Sequence, residues 1–283
     1  VDSQELCRKL KRNLDLKQKE QARLDTMFRL EEWLWRAGVR RIAGVDEVGI
    51  GPMAGPVVAA AVVFPGRARI EGVDDSKRLA PRVRESLSAR IRETASGVGI
   101  GVVEPEEVDR LNVYHAGLKA MRLAVEALPS PPQHVLVDGR TIPSLQVPQD
   151  NVKGGDRRCF AIACASIVAK VYRDRLMVEM DDQFPGYGFA AHKGYCTWAH
   201  QEAVRKLGAC SIHRHSFNFI RELQGAYAPL FYELKHEIQS VTDAVGLQDW
   251  EQRFQRVRAS LSTGENRKLR LLARRQRHRL SHH

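Results

Sequence analysis

Four acids, a hydroxyl and a lysine occupy positions where they could do chemistry together. Asp46 and Glu47 end the apolar run RIAGVD and open a glycine-rich turn, Gly49-Ile50-Gly51. Asp138 ends a second apolar run, HVLVD. Ser166, Lys170 and Asp174 are spaced four apart in a long helical stretch and so share one face. Val168, Tyr172 and Leu176 lie two positions later, about 200° around, on the opposite face. That pattern predicts a helix with a buried apolar stripe that presents hydroxyl, ammonium and carboxylate outward. Strand ends are where open α/β sheets build sites. Any one of these acids is also an ordinary turn residue or helix cap. Three acids at two apolar strand ends are harder to assign to turns.

Carboxylates converging on one point would repel strongly. Hard divalent cations with oxygen ligands would neutralise them. Two such ions roughly 4 Å apart can activate a water and stabilise the leaving oxygen in phosphodiester cleavage. Spacing alone leaves open whether the acids converge.

The elements that must position them are legible in outline. RIAGVD and VVAAAVVF read as strands joined by a Gly/Pro turn, and GVGIGVV (97–103) and HVLVD (134–138) as two more. Residues 81–95 and 105–128 read as helices, each opened by a proline at a permitted first-turn position, and 159–184 as a long helix. Strands mixed with helices indicate an α/β core over residues 39–220. Residues 1–38 carry Leu6, Leu10, Leu14, Leu24, Phe28 and Trp33, several of them four apart, which predicts an amphipathic helix or helical pair as an N-terminal extension. Their mixed charges fit a solvated face. Residues 221–283 form a helical, basic C-terminal extension; Gly264 and Ser262-Thr263 interrupt its pattern. From Trp250 onward ten Lys/Arg face two Asp/Glu, which fits either a nucleic-acid arm or a frayed, solvated helix. No internal repeat is visible.

With 283 residues, 43% of them hydrophobic, the chain can bury a substantial core. A net charge of +11 favours a polyanionic partner, nucleic acid first. No apolar run approaches the roughly 20 residues needed to cross a bilayer, so no membrane association is expected. The N-terminus is polar, without a secretory signal, and Val1 reads as a trimmed or non-standard start. Five cysteines, at 7, 159, 164, 196 and 210, include no C-x-x-C pair, which favours reduced thiols in a cytoplasmic protein over a disulfide or zinc site. The turn Gly49-x-Gly51-x-x-x-Gly55 is a poor dinucleotide fingerprint, because Pro52 lies inside it and a strand follows rather than a helix.

In several independent stretches the chain resembles bacterial ribonuclease HII. They are AGVDEVGIGPMAGPVVAAAV (43–62), DDSKRL (74–79), LVDG (136–139), CASIVAKVYRDR (164–175), GFAAHKGY (188–195) and HRHSF (213–217), in the family's order. The resemblance implies a ribonuclease H-like fold, a mixed five-stranded sheet flanked by helices. It also implies a monomer that works in DNA replication and repair on RNA–DNA hybrids or ribonucleotide-containing duplex DNA. The implied reaction is hydrolysis of the RNA strand with Mn²⁺ or Mg²⁺, leaving 5′-phosphate and 3′-hydroxyl ends. Residue by residue, it assigns the metal site to Asp46, Glu47, Asp138 and Asp174. Gly49, Ile50, Gly51, Lys77, Ser166 and Lys170 would face the scissile nucleotide or its phosphates, and Tyr195 would pack on the neighbouring deoxyribose. The family's turn reads Gly-Arg-Gly, and its backbone senses the ribose 2′-hydroxyl. Here Ile50 replaces the arginine. The related ribonuclease HIII also lacks that arginine, but its fourth acid is glutamate, whereas Arg173-Asp174 looks like HII. Cleavage at single embedded ribonucleotides is therefore expected to be reduced. The alternative is a hybrid-binding protein with weak or lost catalysis, its basic tail supplying salt-sensitive affinity.

Overall fold

A computed structural model describes residues 3–281, apart from the side chains of residues 3, 4 and 6–10. The chain divides into two compact units, Val1–Ser216 and Phe217–His283. The first begins with helices α1 (Ser3–Met27) and α2 (Arg29–Arg36), followed by strands β1 (Ile42–Val48) and β2 (Val57–Val63). Helix α3 (Pro81–Thr94), strand β3 (Gly97–Val103), and helices α4 (Pro105–Leu111) and α5 (Val113–Glu126) come next. Then follow β4 (His134–Asp138), β5 (Gln149–Val152), α6 (Phe160–Gln183), α7 (Phe189–His192) and α8 (Trp198–Leu207). The strands form one mixed sheet in the order β3-β2-β1-β4-β5. The β1/β2 and β2/β3 pairs are antiparallel; the β1/β4 and β4/β5 pairs are parallel. The C-terminal ends of β1, β4 and β5 therefore lie along one edge of the sheet.

Both faces of the sheet are covered, which is why β2 is apolar throughout. Ala60 and Val62 pack with α6, α3 and α1 residues, including Ile167, Ile91 and Leu24. Ala59, Ala61 and Val63 pack on the other side with α5 residues Ala120, Met121 and Ala124. The single helix expected over 105–128 is broken at Asn112, whose backbone turns to φ 67° and whose side chain accepts from the N–H groups of Tyr114 and His115. Asparagine tolerates this conformation better than most residues, so one short polar side chain both ends α4 and starts α5.

The N-terminal helices are part of the first unit's core in places. Leu24, Met27, Phe28 and Leu34 are buried, whereas Leu14 and Trp33 are exposed, and the side chains of Leu6 and Leu10 lie outside those described. Helix α6 lies against the sheet because β1 has glycine at position 44. A β-carbon there would come within 2.1 Å of the Ala161 backbone. The first half of α6, Phe160 to Ala169, is buried all round. Its N-terminus has no cap of its own. Glu31 of α2 supplies one: its Oε1 accepts from the Ala161 N–H at 3.0 Å and from the Cys159 thiol at 3.2 Å. Burial raises the Glu31 pKa, against the hydrogen bonds to Ala161 and Cys159, and Oε2 has no partner among the described residues.

The second unit holds helices α9 (Asn218–Leu223), α10 (Pro229–Ser240), α11 (Ala244–Val257) and α12 (Thr263–Leu280). Its own core includes Phe231, Leu234, Trp250, Phe254 and Leu269. The residues that interrupt the sequence pattern start a helix: Ser262 caps α12 in a reciprocal box with Glu265. The basic tail is thus a packed, capped helix rather than a frayed one. Among the described residues no helix is long and apolar enough to cross a membrane.

Replacing Glu31 by alanine should lower the urea-unfolding free energy by about 1–3 kcal/mol, since it strands the donors at the start of α6. Glu31→Gln should stay near wild type at neutral pH. A raised folded-state pKa means that the stabilisation is full at low pH and lost as pH rises through it. Glu31→Gln should therefore gain on wild type with rising pH, and a constant difference would show that Glu31 is not held neutral.

Candidate active site

The parallel register of β1 and β4 pairs Val45 with Val137, so Asp46 and Asp138 follow side by side at the strand ends. Strand alternation points Asp46 to the α6 side, with Gly44, and Glu47 to the α5 side. Asp46 is buried, and its pKa is raised well above the usual carboxylate range, first by burial and then by the charges of Glu47 and Asp138. Glu47 is raised by burial and by Asp138, against lowering contributions that include Lys77 and Arg140. The Asp46 carboxylate takes a hydrogen bond from Ser166, and Ser166 Oγ lies 3.0 Å from Ser76 Oγ. With Ser166 donating to Asp46, Ser76 must donate to Ser166. Ser166 is therefore a buried partner of Asp46, not the outward-facing group its helical spacing predicts.

A further acid was missed by the sequence reading. After β5, the Gly154-Gly155-Asp156 turn brings the Gly155 N–H to Asp138 Oδ1 at 2.6 Å, and places the buried Asp156 next to it. The Asp156 pKa is raised by burial, then by Asp75 and Asp138, with Lys77 and Arg157 acting the other way. β5 is short and polar, QDNV, so no apolar run marks the strand that this acid follows. Asp174 is placed elsewhere. Its carboxylate holds Lys170 Nζ at 2.7 Å and Arg84 at 3.5 Å. It is eight residues beyond Ser166, about 12 Å along the helix from the residue that touches Asp46. A shared face is not a shared site, and Asp174 is too far along to join Asp46. Among the described residues, no three His, Cys, Asp or Glu side chains form a ready-made metal cage. The crowding shows instead in the proton affinities of Asp46, Glu47 and Asp156, raised by burial and by neighbouring acids.

The loop from Ile50 to Pro56, which carries the glycine turn beside these acids, is held by two buried arginines. Arg173 donates to the carbonyls of Pro56 at 2.9 Å, Ala54 at 3.2 Å and Lys193 at 3.0 Å. Arg214 donates to Gly55 and to Pro52, the latter at 2.8 Å. Burial, and then Arg173, lower the Arg214 pKa to about 9. Gly49 has φ 97°, and a β-carbon there would lie 2.5 Å from Arg173 Nε, so a side chain at this position would collide with the clamp. Tyr195 is half-exposed and borders Gly51, 3.7 Å from where a β-carbon would be; Lys170 Nζ is 5.9 Å from its ring. Lys77 is near enough for its charge to act on Glu47 and Asp156. Two clefts open on this unit, the smaller of them at the acids. One of about 430 Å³ is lined by Glu47, Ile50, Tyr114, Gly117, Asp138 and Arg140, among others. The other, about 680 Å³, is lined by Arg84, Lys170, Asp174, Arg175 and Lys193, among others.

The model of the family described as Ribonuclease HII matches residues 43–220. The chain belongs to the ribonuclease HII family. It is 49% identical over 221 residues to a ribonuclease HII of Myxococcus xanthus, covering 78% of this chain and 75% of the relative. It is 50% identical over 201 residues to one from Geobacillus kaustophilus, covering 71% and 77%. The solved ribonuclease H2 of Pyrococcus horikoshii superposes with a TM-score of 0.56 at 25% identity, over 66% of this chain and 98% of that one. The protein is accordingly an enzyme, a metal-dependent endoribonuclease, with the five-stranded sheet of the ribonuclease H-like fold.

A buried histidine relay supports the Tyr195 loop of this enzyme. Tyr195 O can only accept, so His200 Nδ1–H donates to it at 2.9 Å. His200 Nε2 then accepts from His213 Nε2–H at 3.1 Å, and His213 Nδ1 accepts from the Cys210 N–H at 3.0 Å. Both rings must be neutral. Burial first lowers the pKa of each from 6.5 to about 4. Stability from such depressed histidines is present above pH 6.5 and is lost as pH falls through 4. The free-energy advantage of wild type over His213→Gln should shrink by on the order of 3 kcal/mol from pH 7 to pH 4. A pH-independent difference in denaturant unfolding would contradict the neutral pair.

Proposed function

We propose that the chain cuts the RNA strand of RNA–DNA hybrids endonucleolytically, using two divalent ions, Mn²⁺ or Mg²⁺, bound at Asp46, Glu47, Asp138 and Asp156, and leaves 5′-phosphate and 3′-hydroxyl ends. The observation that carries this reading is the crowding of carboxylates at neighbouring strand ends, where burial first and then neighbouring acids raise the proton affinities of Asp46, Glu47 and Asp156. An all-carboxylate donor set suits hard divalent cations, and the acids have too few nearby cations to balance them otherwise. When bound, such ions would supply an activated water and stabilise the departing oxygen. Ser166 would orient Asp46, and Lys77 would bring a positive charge to a phosphate at the acids. The backbone of Gly49-Ile50-Gly51 would approach the ribose 2′-hydroxyl, held in place by Arg173 and Arg214. Tyr195, exposed at the edge of that turn, would pack on the next sugar. Asp174 would set Lys170 and Arg84 along the second cleft. Ile50 offers neither charge nor side-chain donor to a phosphate, so single embedded ribonucleotides would be cut less well than continuous hybrids. The second unit, with twelve Lys/Arg against seven Asp/Glu in residues 217–283, would add salt-sensitive affinity for the duplex.

Labelled duplexes carrying either one ribonucleotide or a continuous RNA strand, incubated with Mn²⁺ or Mg²⁺, test the reading. Both should be cut, the continuous hybrid faster, and Asp46→Asn should reduce the rate by on the order of 10³-fold. Binding of the hybrid without metal-dependent cutting would instead identify a hybrid-binding protein that has lost catalysis.

A further inference from the structure

The cleft lined by Ile50 combines three kinds of wall. Glu47 and Asp138 form its acidic end. Ile50 lies flat on α5, its Cδ1 3.1 Å from where a Gly117 β-carbon would be, and with Leu118 and Met121 makes an apolar floor. The rim is Arg140, whose guanidinium carbon stands 4.3 Å from the centre of the Tyr114 ring. Arg140 directly follows Gly139, which has φ 68°, and its N–H donates to Asp138 O at 2.7 Å. Its side chain thus springs from the same tight turn as the Asp138 carboxylate.

Lys77 acts on Glu47 and Asp156 but does not line this cleft. Lys170 and Arg84 hold Asp174, and Arg157 is within 3.8 Å of Asp75. Arg140 is exposed and, among the described residues, its guanidinium has no ion pair or hydrogen bond; its contact is the Tyr114 face. A guanidinium laid on a ring keeps its edge N–H groups free and in a fixed plane, which suits an anion with two oxygens to offer. Arg140 is the one cationic side chain among the residues that line this cleft.

We propose that Arg140, positioned by Tyr114, binds a backbone phosphate of the strand being cut, in the cleft where Ile50 offers no charge. Ile50 and Tyr114 then cover the sugar attached to that phosphate. This assignment rests on the nuclease reading, because it takes the acids at the other end of the cleft as the cutting site. It gives the chain a phosphate contact on the Ile50 side of the site from a different loop.

The test is anisotropy of a labelled RNA–DNA hybrid in Ca²⁺ over a range of salt, alongside single-turnover cutting in Mn²⁺. Arg140→Ala should weaken binding about tenfold and reduce the salt slope by about 1, with an unchanged melting temperature. Arg140→Lys should keep the slope but not the full affinity. Adding Ile50→Arg to Arg140→Ala should restore both, because the two side chains open on one cleft. Wild-type affinity and slope in Arg140→Ala would overturn the proposal, as would weakened binding with an unchanged slope, which marks a packing role. Failure of wild type to cut while Arg140→Ala still loses affinity and slope would sink the nuclease reading and leave the phosphate contact standing.

Discussion

The site depends on burying like charges beside one another. Parallel pairing of β4 on β1 sets Asp138 next to Asp46 with no freedom to separate them except by bending the strands. The packed helices on both faces, α6 against Gly44 and α5 on the opposite side, prevent that bending. Asp46 and Glu47 consequently keep their protons more tightly than free carboxylates, the expected response to desolvation and to the neighbouring charges. A divalent cation relieves both at once. The rest of the first unit serves to hold this unfavourable arrangement: Glu31 caps α6, α6 presents Ser166 to Asp46, and Ser76 completes the chain of hydroxyls.

The glycine turn is organised by a second burial problem. A turn that brings bare backbone to a substrate leaves carbonyls facing inward, and two arginines satisfy them from below. Both are buried and give their hydrogen bonds to backbone carbonyls, with Asp174 near Arg173 and Asp109 near Arg214 adding favourable charge. The loop that carries Tyr195 is tied to the arginines and to the histidine relay: Arg173 donates to its Lys193 carbonyl and His200 to the Tyr195 carbonyl. Fixing the turn and fixing the tyrosine are therefore one task, shared by residues 173, 192–195, 200 and 213–214.

Much of this was legible in the sequence, for physical reasons that also explain the misses. Apolar runs ending in acids located β1, β4 and their carboxylates, because strands buried on both faces must be apolar. β5 has a polar sequence, so its strand and the acid that follows it gave no such signal. Asp174 was grouped with Ser166 because helical periodicity reports angle about the axis and says nothing about distance along it. Ser166 was expected outside because polar side chains usually are; a buried acceptor, Asp46, reverses that. Arg214 acts through contacts to a loop about 160 residues earlier, which no local pattern encodes, and His200 and His213 through burial against each other. The packed second unit was masked by its charge, although Ser262 and Glu265 spell a capping box at the start of α12.

The claim on which the rest turns is that Asp156, not Asp174, completes the acid cluster. Calorimetric titration of Mn²⁺ into wild type, Asp156→Asn and Asp174→Asn addresses it without substrate. Asp156→Asn should weaken Mn²⁺ binding by on the order of tenfold or more, whereas Asp174→Asn should bind as wild type does. Loss of binding in Asp174→Asn, with Asp156→Asn unaffected, would contradict the assignment and restore the helix acid to the site.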